Sequence, residues 1–127
     1  MSRMRRISSG SPFEDKIGYC RAVVAGGFVH VAGTVAAGPD VPEGVVDQCR
    51  SAFKVIEGAL KEAGCGFADV VRVTYMLQDR TEFEACWPVL AETFGDARPA
   101  ATMIECGLID PKYRIEIEVT ALAPAQG

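Results

Sequence analysis

The sequence is poor in the residues that build most metal and hydrolytic sites. It has one histidine, His30, and five widely spaced cysteines with no Cys-x-x-Cys pair. This spacing suits reduced thiols better than a disulfide framework or a zinc site. A Ser-His-Asp or Cys-His site would need His30 itself, and its place within Phe28–Ala32 favours a half-buried packing histidine instead. We therefore expect no metal ion.

Long apolar runs and an excess of basic residues are also missing. No stretch approaches the roughly 18 apolar residues of a membrane span, and residues 1–10 lack the apolar core of a signal peptide. Thirteen Lys and Arg against seventeen Asp and Glu give a net charge of −4, which disfavours binding to a phosphate backbone. No glycine pattern matches a Walker or Rossmann motif. The sequence predicts a cytoplasmic protein with no cofactor and no membrane or nucleic-acid partner.

What the chain does contain is the composition of a globular protein, 49% apolar and 24% charged. Its 127 residues suit a single domain, 1–127, because domains commonly have about 100–150 residues. A chain of this size has little room for a deep private cavity. We therefore expect a pocket that closes against another subunit.

Residue patterns predict strands and turns. Gly26 and Gly27 separate two β-rich runs, 19–25 and 28–34, and glycines accept the positive φ of a tight hairpin. Residues 114–123 alternate apolar and polar side chains, which indicates one buried and one polar face. Further strands are predicted at 69–78 and 100–106, and residues 5–16 are interpreted as a short edge strand followed by a loop.

Two helices are predicted as well. Apolar residues recur at three- and four-residue steps over 45–63, and Gly64 should end this helix. Thr81 and Glu84 fit a capping box for a second helix, which Pro88 should kink or restart. The order is β-β-β-α-β-α-β-β, an α+β fold with a six-stranded mixed sheet and two helices on one face. The opposite face is left to water or to another subunit.

Candidate chemistry on that opposite face centres on two carboxylates. Glu116 and Glu118 lie two residues apart on one strand, so their carboxylates share a face at roughly 7 Å. Repulsion and any burial would raise one pKa toward neutrality, as proton shuttling requires; a solvated outer face is the alternative. The phenol of Tyr19 and the guanidinium of Arg21 could bind a carboxylate ligand. The alternative is that both are exposed side chains on an edge strand and bind nothing. Thr102 supplies a hydroxyl beside small residues, where a ligand can approach closely.

A set of short stretches along nearly the whole chain has a characteristic order and spacing, although no single stretch is specific. They are Ile17-Gly18-Tyr19, Arg21-Ala22-Val23, Val29-His30-Val31-Ala32-Gly33-Thr34, Gln48-Cys49-Arg50 with Ala52, Glu62-Ala63-Gly64, Asp69-Val70-Val71, Phe94-Gly95, Arg98-Pro99-Ala100 and Glu116-Ile117-Glu118. Together they resemble the RidA/YjgF superfamily of reactive intermediate deaminases, some of which carry an endoribonuclease L-PSP label. The resemblance implies a chorismate-mutase-like, YjgF-type fold assembled as a homotrimer, with small-metabolite sites in the clefts between subunits.

The resemblance also implies residue roles. Glu116 corresponds to the glutamate that positions the attacking water, Tyr19 to the site tyrosine, and Ala32 to a strand-end position near the ligand that is often serine. The expected catalytic residue is therefore Glu116. The expected substrate-binding residues are Tyr19, Arg21, Gly33, Ala101, Thr102 and Met103.

One departure from the family pattern matters for the substrate. The arginine that binds the substrate carboxylate in the deaminases corresponds to Ala101 here, and the family cysteine two positions later corresponds to Met103. A guanidinium fork fits a carboxylate, and its loss weakens binding by a few kcal/mol, as an order of magnitude. The sequence therefore resembles divergent members that lack this arginine, and Arg21 is the candidate to replace it.

Two functions of different classes follow. One is an imine or enamine deaminase that adds water to a C=N carbon, on a substrate other than the usual 2-imino acid. The other is a non-catalytic trimer that binds or senses a small metabolite. The ribonuclease label fits poorly with an acidic chain that has one histidine and no aromatic-basic stripe.

Overall fold

The computed structural model describes residues 3–125. Residues 1, 2, 126 and 127, which the expected domain 1–127 includes, lie outside the described residues. Six strands form one mixed sheet in the order β1-β2-β3-β6-β4-β5, and three α-helices accompany it. The strands are β1 Met4–Ile7, β2 Ala22–Ala25, β3 Phe28–Thr34, β4 Val70–Leu77, β5 Ala100–Glu105 and β6 Ile115–Leu122, and the helices are α1 Pro12–Ile17, α2 Val45–Glu62 and α3 Phe83–Phe94.

The predicted α+β fold, with six strands and two long helices in the expected order, is confirmed. The hairpin turn lies at Gly26 and Gly27, with φ of 59° and 85°. Helix α2 ends where Gly64 takes a φ of 88°. These features are local, so a short window of sequence is enough to specify them.

The core lies between the sheet and the two long helices, α2 and α3. Ile115, Ile117, Val119 and Ala121 of β6 point into it and are at most 3% exposed, as their alternation predicts. Burying each such aliphatic side chain contributes about 1.5–3 kcal/mol. Strand β6 pairs antiparallel with both β3 and β4. Glu116 therefore lies on an interior strand of the sheet.

Helix α1 is a correction to the expected loop. Ser11 accepts a hydrogen bond from the Phe13 N–H, Pro12 occupies the first turn, and Gly18 ends the helix with a φ of 89°. These are ordinary start and stop signals, but six residues are too few to show a helical apolar period. The prediction of a loop after β1 was therefore wrong.

The start of α3 also differs from the prediction. The Asp79 carboxylate accepts hydrogen bonds from the Thr81 N–H and hydroxyl and caps a short 3₁₀ turn, Arg80–Glu82. Helix α3 has no side-chain cap and continues through Pro88. The capping box at Thr81 and the restart at Pro88 were therefore wrong.

His30 is exposed on the sheet face opposite the helices, with its ring 6.3 Å from that of Phe28. The expected half-buried packing role was wrong, because this face of β3 has no covering element within the chain. None of the helices in residues 3–125 has the length and apolarity to cross a membrane.

Candidate functional site

The site begins at an irregularity between β3 and β6. Val31 pairs with Val119 and Thr34 with Ile117, so Ala32 and Gly33 together lie opposite one residue, Glu118. This two-to-one count is a β-bulge, a device that often redirects side chains beside functional sites. Within it the Thr34 hydroxyl donates to the Ala32 carbonyl at 2.7 Å. The bulge consequently interrupts the regular strand pairing at Gly33. We call the sheet face away from the helices the open face.

The Glu116 side chain lies over Gly33, on the open face. A Cβ built on Gly33 would overlap Glu116 Oε2 and lie 3.1 Å from its Cδ. The absence of a side chain at Gly33 is what lets the carboxylate sit against the backbone. Glycine at this position therefore determines where the carboxylate can lie.

The electrostatic surroundings of Glu116 favour its protonated form. Its pKa is raised above the ordinary 4.5, first by burial and then by the charge of Glu118, while Arg21 opposes the rise. The side chain is half-buried and Glu118 is exposed. The expected rise in the pKa of one carboxyl group is thus found at Glu116, which is the group suited to exchange protons nearer neutral pH.

Arg21 and Tyr19 lie beside the same β-bulge. The Arg21 guanidinium lies 5.7 Å from the centre of the Tyr19 ring, and its Nη2 donates to the Gly33 carbonyl at 2.7 Å. Both residues precede β2 instead of lying on it, which corrects the expected strand placement. Glu116, Gly33, Arg21 and Tyr19 therefore form one group of neighbouring residues on the open face.

Glu14, a buried residue that sequence reasoning missed, stabilises the segment before Tyr19. Glu14 accepts hydrogen bonds from the Ser9 N–H and hydroxyl, and these bonds hold its pKa below the usual range. Its carbonyl accepts the N–H groups of Gly18 and Tyr19 at 2.9 and 3.0 Å. Glu14 thereby positions the turn that presents Tyr19. A polar residue in a presumed loop gave no signal of this role.

Gln48, buried in α2, positions the strand that carries Glu116. Its amide nitrogen donates to the carbonyls of Pro42 and Lys112, at 2.7 and 2.9 Å, and its oxygen accepts the Arg114 N–H at 2.7 Å. The last of these bonds fixes the backbone one residue before β6. The periodicity over 45–63 concerned apolar residues only, so it gave no signal of this role for Gln48.

Replacing Gln48 with leucine should destabilise the protein by about 2–4 kcal/mol, because three backbone groups lose their buried partner. Urea unfolding measures the change. Gln78→Leu is the matched control, since exposed Gln78 also donates to two carbonyls, those of Asp110 and Tyr113. Equal effects of the two substitutions would show that burial of Gln48 adds nothing.

The remaining expected site residues lie elsewhere in the chain. Ala101 and Met103 pair with Val73 and Tyr75 of β4, which are buried against the helices, so both residues are on the helix side. Thr102 is on the open side. Since β4 separates β5 from β6, these three residues lie about 10 Å from the β6 backbone at adjacent-strand spacing. One chain does not bring them to Glu116.

A shallow cavity of about 720 Å³ adjoins the site, lined in part by Tyr19, Ala32, Glu118 and His30. Its size suits a small metabolite. Among residues 3–125, no group of three His, Cys, Asp or Glu side chains is arranged to hold a metal ion. The ionisable and polar groups that line this cavity include carboxylates, among them that of Glu118, the Tyr19 phenol, the His30 imidazole and the Arg6 guanidinium.

Comparison with known proteins identifies the family. The family model described as Endoribonuclease L-PSP matches residues 12–123. The chain belongs to the RidA/YjgF superfamily. A solved member of the YjgF/YER057c/UK114 family from Mycobacterium tuberculosis is 40% identical, with a TM-score of 0.86 over 94% of this chain and 99% of that one.

Curated members of the superfamily include named enzymes. A 2-iminobutanoate/2-iminopropanoate deaminase of Capra hircus is 33% identical over 95% of this chain and 92% of its own. A RutC family protein of Pyrococcus horikoshii is 34% identical over 81% of this chain and 85% of its own. The chain is thus similar over nearly its full length to RidA/YjgF proteins that include imino-acid deaminases.

Proposed function

We propose that this protein is a homotrimeric imine or enamine deaminase that hydrolyses a C=N bond in a small metabolite. The observation that carries the proposal is the Glu116 carboxylate, half-buried over Gly33 with a raised pKa. Such a carboxyl can accept and return protons near neutral pH. Similarity to proteins named imino-acid deaminases supports the reaction class.

Glu116 performs two proton transfers in this reaction. Its carboxylate takes a proton from water as the water oxygen bonds to the imine carbon, and returns that proton to the nitrogen, giving a carbinolamine. It then moves the proton of the new hydroxyl to the nitrogen. Ammonia leaves, a carbonyl forms, and Glu116 is restored. An enamine first gains a proton on carbon and loses one from nitrogen, which gives the imine.

The distribution of site residues supports a trimer with its site between subunits. Ala101, Thr102 and Met103 lie away from Glu116 within one chain, so only another chain could bring a second set to it. The open face also carries exposed Phe28 and Leu122, at 39% and 53%, and a partner would cover apolar surface there. Native mass spectrometry should give three times the 13.6 kDa of the chain. A monomer would contradict the proposal.

The reaction is tested with imines made in situ. 2-Iminopropanoate and a neutral imine are generated by oxidases, and the protein should accelerate conversion of at least one to its carbonyl product, measured by competition with semicarbazide. Heat-inactivated protein provides the background rate. Rates equal to background with both imines would overturn deamination.

A non-catalytic metabolite-binding trimer is the second candidate. Ala101 favours it, because an exposed methyl offers no hydrogen bond to a substrate. Calorimetry with carbonyl products distinguishes the two candidates, since binding without any imine turnover is the signature of the non-catalytic trimer.

A further inference from the structure

Arg21 is a cation held beside the Glu116 carboxylate. Its Nη2 is bonded to the Gly33 carbonyl, and Gly33 is also the residue over which Glu116 lies. The Tyr19 ring supports the guanidinium from a second direction. Two fixed contacts restrict the side chain, so it needs little further ordering to receive a ligand.

The charge of Arg21 has no ion-pair partner among residues 3–125. The ion pairs within 4 Å in this part of the chain join Arg50 to Glu92 and Arg114 to Glu82. Arg21 does act through space on Glu116 and Glu14, but Glu14 is already bonded to Ser9. An unpaired, half-buried guanidinium is a favourable place for an incoming anion.

The hydrogen-bonding capacity of Arg21 is mostly unused. A guanidinium has five N–H groups, and in the described residues one of them bonds, to Gly33. Its Nε is buried without any partner, while the side chain as a whole is half-buried. The two N–H groups of Nη1 and the second N–H of Nη2 remain to form the fork that binds a carboxylate in two places.

We propose that Arg21 binds the carboxylate of an imino-acid substrate whose C=N carbon faces Glu116. The inference rests on the proposed deamination and names Arg21 as the residue that determines its specificity. Arg21 would supply the carboxylate anchor that Ala101 cannot, so the inference replaces the expectation of a substrate other than a 2-imino acid. In an imino acid the carboxylate carbon is one bond from the imine carbon, so the anchor must lie beside the acid-base group. Arg21 and Glu116 meet this requirement because both border Gly33.

Arg5 is the matched control on the opposite sheet face. Its Nη2 donates to the Glu62 carbonyl at 2.7 Å, so it too is an arginine whose single described hydrogen bond is to a backbone carbonyl. Arg5 pairs with Val24, and Val24 pairs with buried Val29, so Arg5 lies on the side of the sheet that packs against the helices. A ligand held at Glu116 on the open face cannot reach it.

The experiment compares Arg21→Gln, Arg21→Lys and Arg5→Gln with 2-iminopropanoate and its neutral carboxamide. Arg21→Gln should raise KM for the carboxylate substrate about 30- to 300-fold, leave KM for the carboxamide within about twofold, and change kcat less. Arg21→Lys should recover part of the loss, because it keeps the charge without the fork. Arg5→Gln should behave as the unmodified protein.

Three results would overturn the assignment. Equal loss with both substrates would show that Arg21 only positions Gly33, no loss in Arg21→Gln would show that Arg21 does not contact the substrate, and an equal rise of KM in Arg5→Gln would show that the effect does not depend on the site. Calorimetry with pyruvate separates this inference from the proposed reaction. If no imine is hydrolysed, pyruvate binding that disappears in Arg21→Gln still supports the anion site, and binding unaffected by Arg21→Gln overturns it.

Discussion

Glu116→Gln should lower imine turnover about 10²- to 10⁴-fold, the usual contribution of a general acid-base group, and stabilise the folded protein at neutral pH. Glutamine keeps the shape of the protonated acid but cannot exchange the proton. The gain in stability has a separate cause. Burial and Glu118 raise the pKa of Glu116, so the folded state disfavours its ionised form.

The pH dependence follows from the direction of this shift. Since the folded pKa is above the ordinary 4.5, protonated Glu116 favours folding below the unfolded pKa, and that contribution is lost as pH rises through the folded pKa. The stability difference between Glu116→Gln and the unmodified protein should be small near pH 4 and greatest above the folded pKa. Urea titrations at several pH values measure it.

Glu118→Gln is the control for this prediction. Glu118 is exposed, so its substitution should retain most activity while moving the acidic limb of the rate profile to lower pH, because the neighbouring charge is gone. Full activity in Glu116→Gln would remove Glu116 from the mechanism. A loss of stability at neutral pH would contradict the assigned burial effect.

Gly33→Ala should reduce kcat/KM about 100-fold with only a small loss of stability. The three atoms nearest to the new methyl group would all belong to the Glu116 side chain, so the carboxylate must move while the backbone can stay. Gly33 is not among the glycines with positive φ, and alanine is therefore compatible with its conformation. A displacement of about 1 Å in a catalytic group is sufficient for a 100-fold effect.

Gly58→Ala is the matched control because a Cβ at Gly58, inside α2, meets nothing within 4 Å. It should leave activity unchanged and stabilise the helix by up to about 1 kcal/mol. The double substitution Gly33→Ala with Glu116→Gln gives a further check. If the methyl acts through the carboxylate, it should add little once the carboxylate is gone; fully additive losses would contradict that path.

The sequence by itself determined the features that depend on neighbours along the chain. Alternation over β6 assigned Ile117 to the core and Glu116 to the open face, and two glycines specified the β2–β3 turn. The same local information indicated that Glu116 and Glu118 share a face. It failed for short segments, where α1 shows no period and Asp79, not the residues of a capping box, caps the turn before α3.

Only the tertiary structure decided which residues meet. The bulge that brings Gly33 beneath Glu116 depends on pairing between β3 and β6, which are about eighty residues apart by residue number. The contact of Arg21 with the Gly33 carbonyl and the support of β6 by Gln48 likewise join distant segments. Such contacts are set by strand register and packing, and no local pattern encodes them. The sequence therefore supplied the proposed acid-base residue, and the fold placed the Arg21 guanidinium beside it.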